Sequence, residues 1–361
     1  MKPGIRQVDV LVVGAGQAGL GAAQALARTP GLELLVLEAA GALGQSWTGR
    51  WDSLRLFTPR WFSALPGLRF PAGEGRAPTR LEMAAYLTRY AEHHRLAVQV
   101  GVRVDRITCI PAGFEVQTTE GPVLARQVVV ATGPFHRAYL PECAADLDPA
   151  VHQLHSADYR RPDDVPGPAV AVVGGGNSAA QLAVELSRTH AVTLVSPGPP
   201  WFLPTSILGL SLYWWTLATG VLNAPAESRV SRYVRRRGDA VVGRELAALV
   251  RQGTVRLVPH RVVSASGEGL TLQDGSVLPV GSVLWCTGFR PDYRWLEVPG
   301  ALTDDGRPVH TGGASPVRGL HWVGLPWQTR LNSSIINGID RDARALARRV
   351  TSQRRPAPVT G

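Results

Sequence analysis

Cysteine is scarce in this 361-residue chain. Cys109, Cys143 and Cys286 lie far apart, and no Cys-x-x-Cys pair occurs. Such spacing leaves a disulfide scaffold, a zinc site and a redox dithiol without support, and no metal is expected. Lysine is scarcer still: Lys2 stands alone, and every other member of the 38 basic residues is Arg. The formal charge of +10 therefore comes from scattered Arg, with one dense run at Arg235, Arg236 and Arg237. No stripe of basic and aromatic residues appears, so nucleic acid is not an expected partner. Charged residues make up only 18%, against 45% hydrophobic. A chain that apolar can bury a large core, which excludes disorder throughout. The 39 Gly and 28 Pro follow no fixed period, which excludes collagen.

A chain of this length exceeds one ordinary core and points to two domains. Met1–Asp9 is polar and runs directly into an apolar stretch, without the pattern of a secretory leader, so a cytoplasmic location is expected. Segment 203–222 is the one long apolar stretch. Pro204, Gly209 and Gly220 interrupt it, so a transmembrane span is not expected. It reads as a buried or pocket-lining helix, or as a contact with a membrane surface or with a second copy in a homodimer.

Val8–Val13 reads as a buried strand. Gly14-Ala15-Gly16-Gln17-Ala18-Gly19 follows, then a helix over Leu20–Arg28, then a strand over Leu32–Leu37 ended by Glu38. This is the dinucleotide fingerprint in full context. Gly14 allows the tight turn. Gly16 lets a pyrophosphate reach the backbone at a helix N-terminus, where free N–H groups favour an anion. Gly19 lets helix and strand approach. Glu38, 24 positions after Gly14, can accept both hydroxyls of an adenosine ribose. A helix is predicted over Arg80–Arg95, and strands over Val98–Val104, Phe114–Thr118 and Val128–Ala131. The Thr132-Gly133 turn ends the last of these.

The fingerprint occurs a second time. After a turn-rich linker at 160–168, Ala169–Val173 reads as a strand and Gly174-Gly175-Gly176-Asn177-Ser178-Ala179 as the turn. A helix over Gln181–Arg188 and a strand over Val192–Val195 follow. Two dinucleotides are therefore expected. Counting 24 positions from Gly174 reaches Gly198, and the strand ends at Ser196-Pro197, so neither an acid for NAD nor an Arg for NADP stands there. Ser196 can hydrogen-bond a hydroxyl or a phosphate alike. Strands are predicted at Arg256–Val258, Ser282–Cys286 and Leu320–Gly324. Thr287-Gly288 echoes the earlier turn, and a closing helix over Ser333–Val350 is capped by Asn332, Ser333 and Ser334. The fold class is α/β: two Rossmann-like domains, with the second, 156–290, inserted into a first domain made of 1–155 and 291–361.

With its Gly44-Gln45-Ser46-Trp47 and Trp51–Pro59 motifs, the chain resembles the class B flavin monooxygenases along nearly its whole length. Of that family's FxGxxxHxxxY motif, His155 and Tyr159 match, whereas Pro149 and Val151 take the aromatic and glycine places. Phe57 replaces an Asn that such enzymes often carry near the flavin edge. The resemblance implies FAD, NADPH or NADH, O2 and a small-molecule substrate. It implies a monooxygenase that acts through a flavin C4a-(hydro)peroxide on a soft heteroatom, N or S, or on a ketone. The alternatives are a reductase or oxidase without oxygen transfer, and a redox-sensing flavoprotein linked to cation transport. Phe57 and Thr58 are the implied flavin-edge residues. The implied FAD contacts are Gly14, Gly16, Gln17, Gly19, Glu38, Gln45, Trp47, Val104, Thr132, Gly133 and Ser333. Those for the nicotinamide dinucleotide are Gly174, Gly176, Asn177, Ser178, Ser196, Thr287 and Gly288.

Overall fold

The computed structural model describes residues 5–353 except 239 and 268. Met1–Gly4 and the end of the expected segment 291–361 lie outside the described residues.

The first sheet grows from β1 (Arg6–Val13) and β2 (Leu34–Glu38), paired in parallel and joined by α1 (Gln17–Leu26). Val10, Leu11 and Val12 are each 0% exposed, because layers cover both faces of the sheet. That explains an apolar run with no alternation. A single helical turn α2 (Gln45–Thr48) precedes α3 (Arg80–His93), whose start is a capping box between Thr79 and Glu82. Next come β3 (Val98–Val100), β4 (Val104–Ile110), β5 (Gly113–Thr118) and β6 (Val123–Val130). The strand expected over Val98–Val104 is thus two strands. Gly101, at φ +76°, turns the chain between them. β3 extends the parallel sheet beside β2, while β4 enters an antiparallel meander with β5. β6 serves both: its first half pairs with β5, and its second half pairs in parallel with Leu320–Trp322.

Two short strands carry the chain across. β7 (Arg137–Ala138) leaves the first domain, and Phe289–Arg290 returns antiparallel beside it. Between them lie β8 (His152–His155), β9 (Ala169–Val173), α4 (Asn177–Leu186) and β10 (Ala191–Val195). The second sheet is fully parallel, in the order Val255–Val258, β10, β9, Ser282–Trp285, β8. Because β8 belongs to it, the chain has entered this sheet before the boundary expected at residue 156.

The closing helix runs over Ile339–Ser352, not from Ser333. Its N-cap is Gly338, without a side-chain cap, after a 3-10 turn at Ile336–Gly338. Only glycine fits at 338, since a Cβ there would meet the Asn332 carbonyl oxygen at 1.9 Å. Ile339, Ala343, Leu346 and Val350 are buried at helical spacing. Ile339 faces α1 so closely that a Cβ on Gly21 would lie 2.5 Å from its methyl group. Ile339→Ala is therefore expected to cost about 2–5 kcal/mol of stability, measured by urea unfolding.

His321 sits at 1% exposure on the strand beside β6, and its Nε2 lies 3.0 Å from the Gln127 side-chain oxygen. Burial, with Arg349 nearby, holds its pKa down to about 4, against 6.5 for a free ring. The unfolded chain binds this proton below about 6.5 and the native state does not. The neutral ring's contribution is whole above that pH and is lost as the pH falls toward 4. Between those limits the native protein should lose stability more steeply than His321→Gln. Parallel stability profiles for the two would contradict this.

Candidate active site

In the first unit the glycine turn lies at the C-terminal ends of β1 and β6. Gly14 N–H donates to the Leu37 carbonyl at 2.8 Å, and Ala131 N–H donates to that of Val13 at 2.9 Å. Gly14 has φ +99°, and a Cβ there would lie 2.9 Å from the Ala131 carbonyl oxygen. At Gly19 a Cβ would fall 1.8 Å from the Gly14 carbonyl oxygen. Gly16 differs: a Cβ would meet nothing within 4 Å, at an ordinary φ of −70°. That open space faces the N-terminus of α1, with Gln17 as its first residue, and a pyrophosphate fits there. The Glu38 carboxylate accepts from Ala15 N–H at 2.8 Å and Ala40 N–H at 3.0 Å. Each oxygen retains a lone pair for a ribose hydroxyl. Val102 N–H donates to the Glu38 carbonyl, which brings the start of β4 and Val104 to the same end.

Gly133, at φ +75°, also has open space before it. Thr132 Oγ1 lies 3.1 Å from His136 Nε2, while His136 Nδ1 accepts from Asp292 N–H at 2.7 Å. Nδ1 is therefore the unprotonated nitrogen and Nε2–H points to Thr132. Burial lowers the pKa of this ring and keeps it neutral. Gln45 is exposed on α2. Trp47 is half-buried, and its buried Nε1 has no hydrogen-bond partner. An orphaned donor of this kind suits a polar cofactor edge. The proposed flavin-edge pair diverges. Phe57 is 42% exposed, but Thr58 is 3% exposed and its hydroxyl is held by Ser63 at 2.8 Å. Ser333 is likewise committed, accepting from Thr329 N–H and Arg330 N–H.

The second unit repeats the two backbone bonds that set the first glycine turn. Gly174 N–H donates to the Val195 carbonyl, and Cys286 N–H donates to that of Val173, both at 2.8 Å. A Cβ on Gly174 would lie 2.4 Å from the Cys286 carbonyl oxygen, whereas one on Gly176 would meet nothing within 4 Å. Asn177 ties the start of α4 to a neighbouring loop, donating to the Ala240 carbonyl and accepting from Val242 N–H. Ser178 is half-buried in the same first turn. The counterpart of Glu38 is set by this pairing, and it is Ser196, 22 positions after Gly174, rather than Gly198. Ser196 is 1% exposed and donates its hydroxyl to the Gly198 carbonyl at 2.6 Å. Arg235 packs on Trp327, and Arg237 on Trp201. Thr287 Oγ1 donates to the Tyr139 carbonyl, and Gly288 accepts from Tyr139 N–H, so the second Thr-Gly turn lies against the outgoing crossing. Burial pushes the Cys286 thiol up to about 12.

The seam between the units holds a residue that sequence reasoning passed over. Arg50 lies between the quoted Trp47 and Trp51, and its guanidinium stands 4.8 Å from the Phe289 ring centre and 5.9 Å from that of Phe135. Each ring directly follows a Thr-Gly turn region. Cation–π contact returns about 0.5–2 kcal/mol, short of the several kcal/mol that a fully buried charge forfeits in hydration.

Segment 203–222 forms a hairpin and the short α5 (Leu212–Ala218), which packs on the first domain. Trp214 stacks on Trp61 at 4.4 Å, and Tyr213 packs on Phe62 at 4.7 Å. Leu208, at the hairpin tip, is 87% exposed. Among the described residues no helix is long and apolar enough to cross a membrane. A shallow depression lined by Ala150, His152, Pro166 and Gly281 lies at the opposite, N-terminal ends of the second sheet, away from every motif.

Gly16→Val is expected to leave the fold intact, because the backbone is ordinary and the space is free, yet to abolish retention of FAD. Flavin absorbance per mole of folded protein measures this. Gly19→Val, which would clash with backbone, should instead lower thermal stability steeply.

Residues 11–219 match the family model described as pyridine nucleotide-disulphide oxidoreductase. The chain is 38% identical to an uncharacterized CzcO-like oxidoreductase of Geobacillus kaustophilus, over 94% of this chain and 97% of that one. It is 28% identical to an indole-3-pyruvate monooxygenase of Oryza sativa, over 87% and 85%. A flavin-containing monooxygenase from Stenotrophomonas maltophilia superposes with a TM-score of 0.81 at 32% identity, covering 96% and 99%. The chain belongs to the pyridine nucleotide-disulphide oxidoreductase family, as a flavin-dependent oxidoreductase of its flavin monooxygenase-like branch.

Proposed function

We propose that the protein is an FAD-dependent monooxygenase that uses NADPH or NADH and O2 to oxygenate a small molecule at nitrogen, sulfur or a ketone. The observation that carries this reading is the repeated open cradle. Gly16 and Gly176 each head a helix above the C-terminal ends of a parallel sheet, with free space where an anion would sit. Similarity in fold and sequence over almost the whole length of a flavin-containing monooxygenase supports the oxygen-transferring chemistry.

Bound FAD supplies hydride acceptance and oxygen activation. The chain's own residues bind, orient and shield. Gly14, Gly16 and the start of α1 hold one pyrophosphate, and Glu38 holds the adenosine ribose. Gly174, Gly176 and the start of α4 hold the second dinucleotide. His136, neutral and fixed by Asp292 N–H, orients the Thr132 hydroxyl beside the Thr132-Gly133 turn. The stacked Trp61 and Trp214, with Phe62 packed on Tyr213 beneath them, limit water at this part of the seam. A thiol relay has little material: Cys109, Cys143 and Cys286 lie in three separate places, and burial keeps the Cys286 thiol protonated.

The end of β10 presents a 2′-phosphate with neither a carboxylate nor an Arg, and Ser196 has turned its hydroxyl inward. Affinity common to both cofactors cancels in selectivity. The ratio of kcat/KM for NADPH and NADH is therefore expected to stay below about a hundredfold, roughly 2.7 kcal/mol. Turnover under air with candidate sulfides, amines and ketones tests the wider reading. Oxygenated product matching the NAD(P)H consumed supports it. Hydrogen peroxide in equal amount to NAD(P)H, with every candidate, would favour an oxidase.

A further inference from the structure

Arg50 is a cation without a counter-ion. Among the described residues no carboxylate pairs with its guanidinium, although the chain's other junction arginines are occupied. Arg80 bonds Asp52 and the Thr48 carbonyl, and Arg160 donates to the Ala157 and Tyr159 carbonyls. The surroundings of Arg50 add positive rather than negative charge. Burial lowers its pKa, and so does the nearby Arg160. The rings that flank it, Phe135 and Phe289, meet edge to face at 5.4 Å, and His155 meets Phe289 edge-on at 5.3 Å. This cage has a built frame. Asp52 N–H donates to the Arg160 carbonyl at 2.9 Å, which ties the Arg50 loop to the linker of the second unit.

Its position in the sheet says what it faces. β10, whose end corresponds to the adenosine-binding end of the first unit, lies on one side of β9. Ser282–Trp285 and then β8 lie on the other. Phe289 follows the first of these two strands, and His155 ends the second. Arg50 therefore reaches, from the flavin-binding domain, over the half of the second cleft that is remote from the adenosine. We propose that Arg50 binds a phosphate oxygen on the nicotinamide side of the second dinucleotide's pyrophosphate and so holds that half across the seam toward the flavin. A planar guanidinium held against two rings keeps its remaining N–H groups free for a two-point grip on such a group. The pyrophosphate is common to NADH and NADPH, so Arg50 serves both cofactors without discriminating between them.

This inference rests on the reading that the second unit takes a nicotinamide dinucleotide. Titration calorimetry of NADP+ and NAD+ into the FAD-loaded protein tests it without turnover. Arg50→Gln should weaken both by about tenfold or more and by the same factor, with flavin content unchanged. Binding within twofold of wild type would overturn the proposal. So would unchanged binding together with turnover lost only on carboxylate-bearing substrates, which would assign Arg50 to the substrate. If Arg50→Gln does not fold, Arg50→Lys decides. Affinity for both nucleotides reduced about threefold or more supports the two-point grip, and wild-type affinity overturns it. If the wild type binds neither nucleotide, the reading of the second unit fails instead, and the two failures are distinguishable.

Discussion

One close approach, made twice, underlies the architecture. The first glycine of each fingerprint, Gly14 and Gly174, lies against a backbone carbonyl at the end of the neighbouring strand, that of Ala131 and of Cys286. A Cβ at either glycine would displace that strand end. With the approach allowed, the strand that carries the glycine turn and the strand that ends in Thr-Gly finish side by side. The helix behind the glycines then opens its N-terminus over both. The same contact therefore creates the cradle and aims the Thr-Gly turn at it. Everything downstream, from Thr132 and His136 to Thr287 and Phe289, inherits its position from these two contacts.

Insertion of one unit into the other turns two cradles into one machine. The chain leaves beside the first Thr-Gly turn and returns beside the second, and the two crossings pair as Arg137–Ala138 with Phe289–Arg290. That ribbon joins the two units. Phe135 and Phe289 stand beside it, and the Arg50 guanidinium lies against both rings, which places a positive charge at the join. The aromatic contacts of Trp61 with Trp214 and of Phe62 with Tyr213 close a second part of the seam. Apolar surface between the units thus serves stability and water exclusion together.

Much of this was legible in the sequence because it is local. A buried parallel strand shows as an unbroken apolar run, and the glycines, the following helix and Glu38 lie within one short span. The features that misled are those set by the third dimension. Val98–Val104 reads as one strand until Gly101 turns it, and its two halves belong to different arms of the sheet. Asn332, Ser333 and Ser334 have the chemistry to cap the closing helix, but Ser333 caps a preceding turn instead. Counting along the chain led to Gly198, whereas hydrogen-bond pairing leads to Ser196, because the connection in the second unit is two residues shorter. Thr58 stands at a flavin-edge position in the sequence pattern, but its hydroxyl is held inward by Ser63, five residues away. Arg50 had no signal beyond being a lone basic residue between two Trp. Its meaning comes from rings 85 and 239 positions further along the chain.

The central claim is a division of labour: the first cradle holds FAD and the second delivers reducing equivalents to it. Gly176→Val tests that division most directly, since a Cβ there meets nothing within 4 Å and the branched side chain would enter the open space above α4. The variant should be purified yellow, with a full complement of FAD. Under anaerobic conditions its flavin should resist reduction by NADPH and NADH, yet bleach normally with dithionite. Loss of FAD from this variant, or reduction by NADPH at the wild-type rate, would contradict the account.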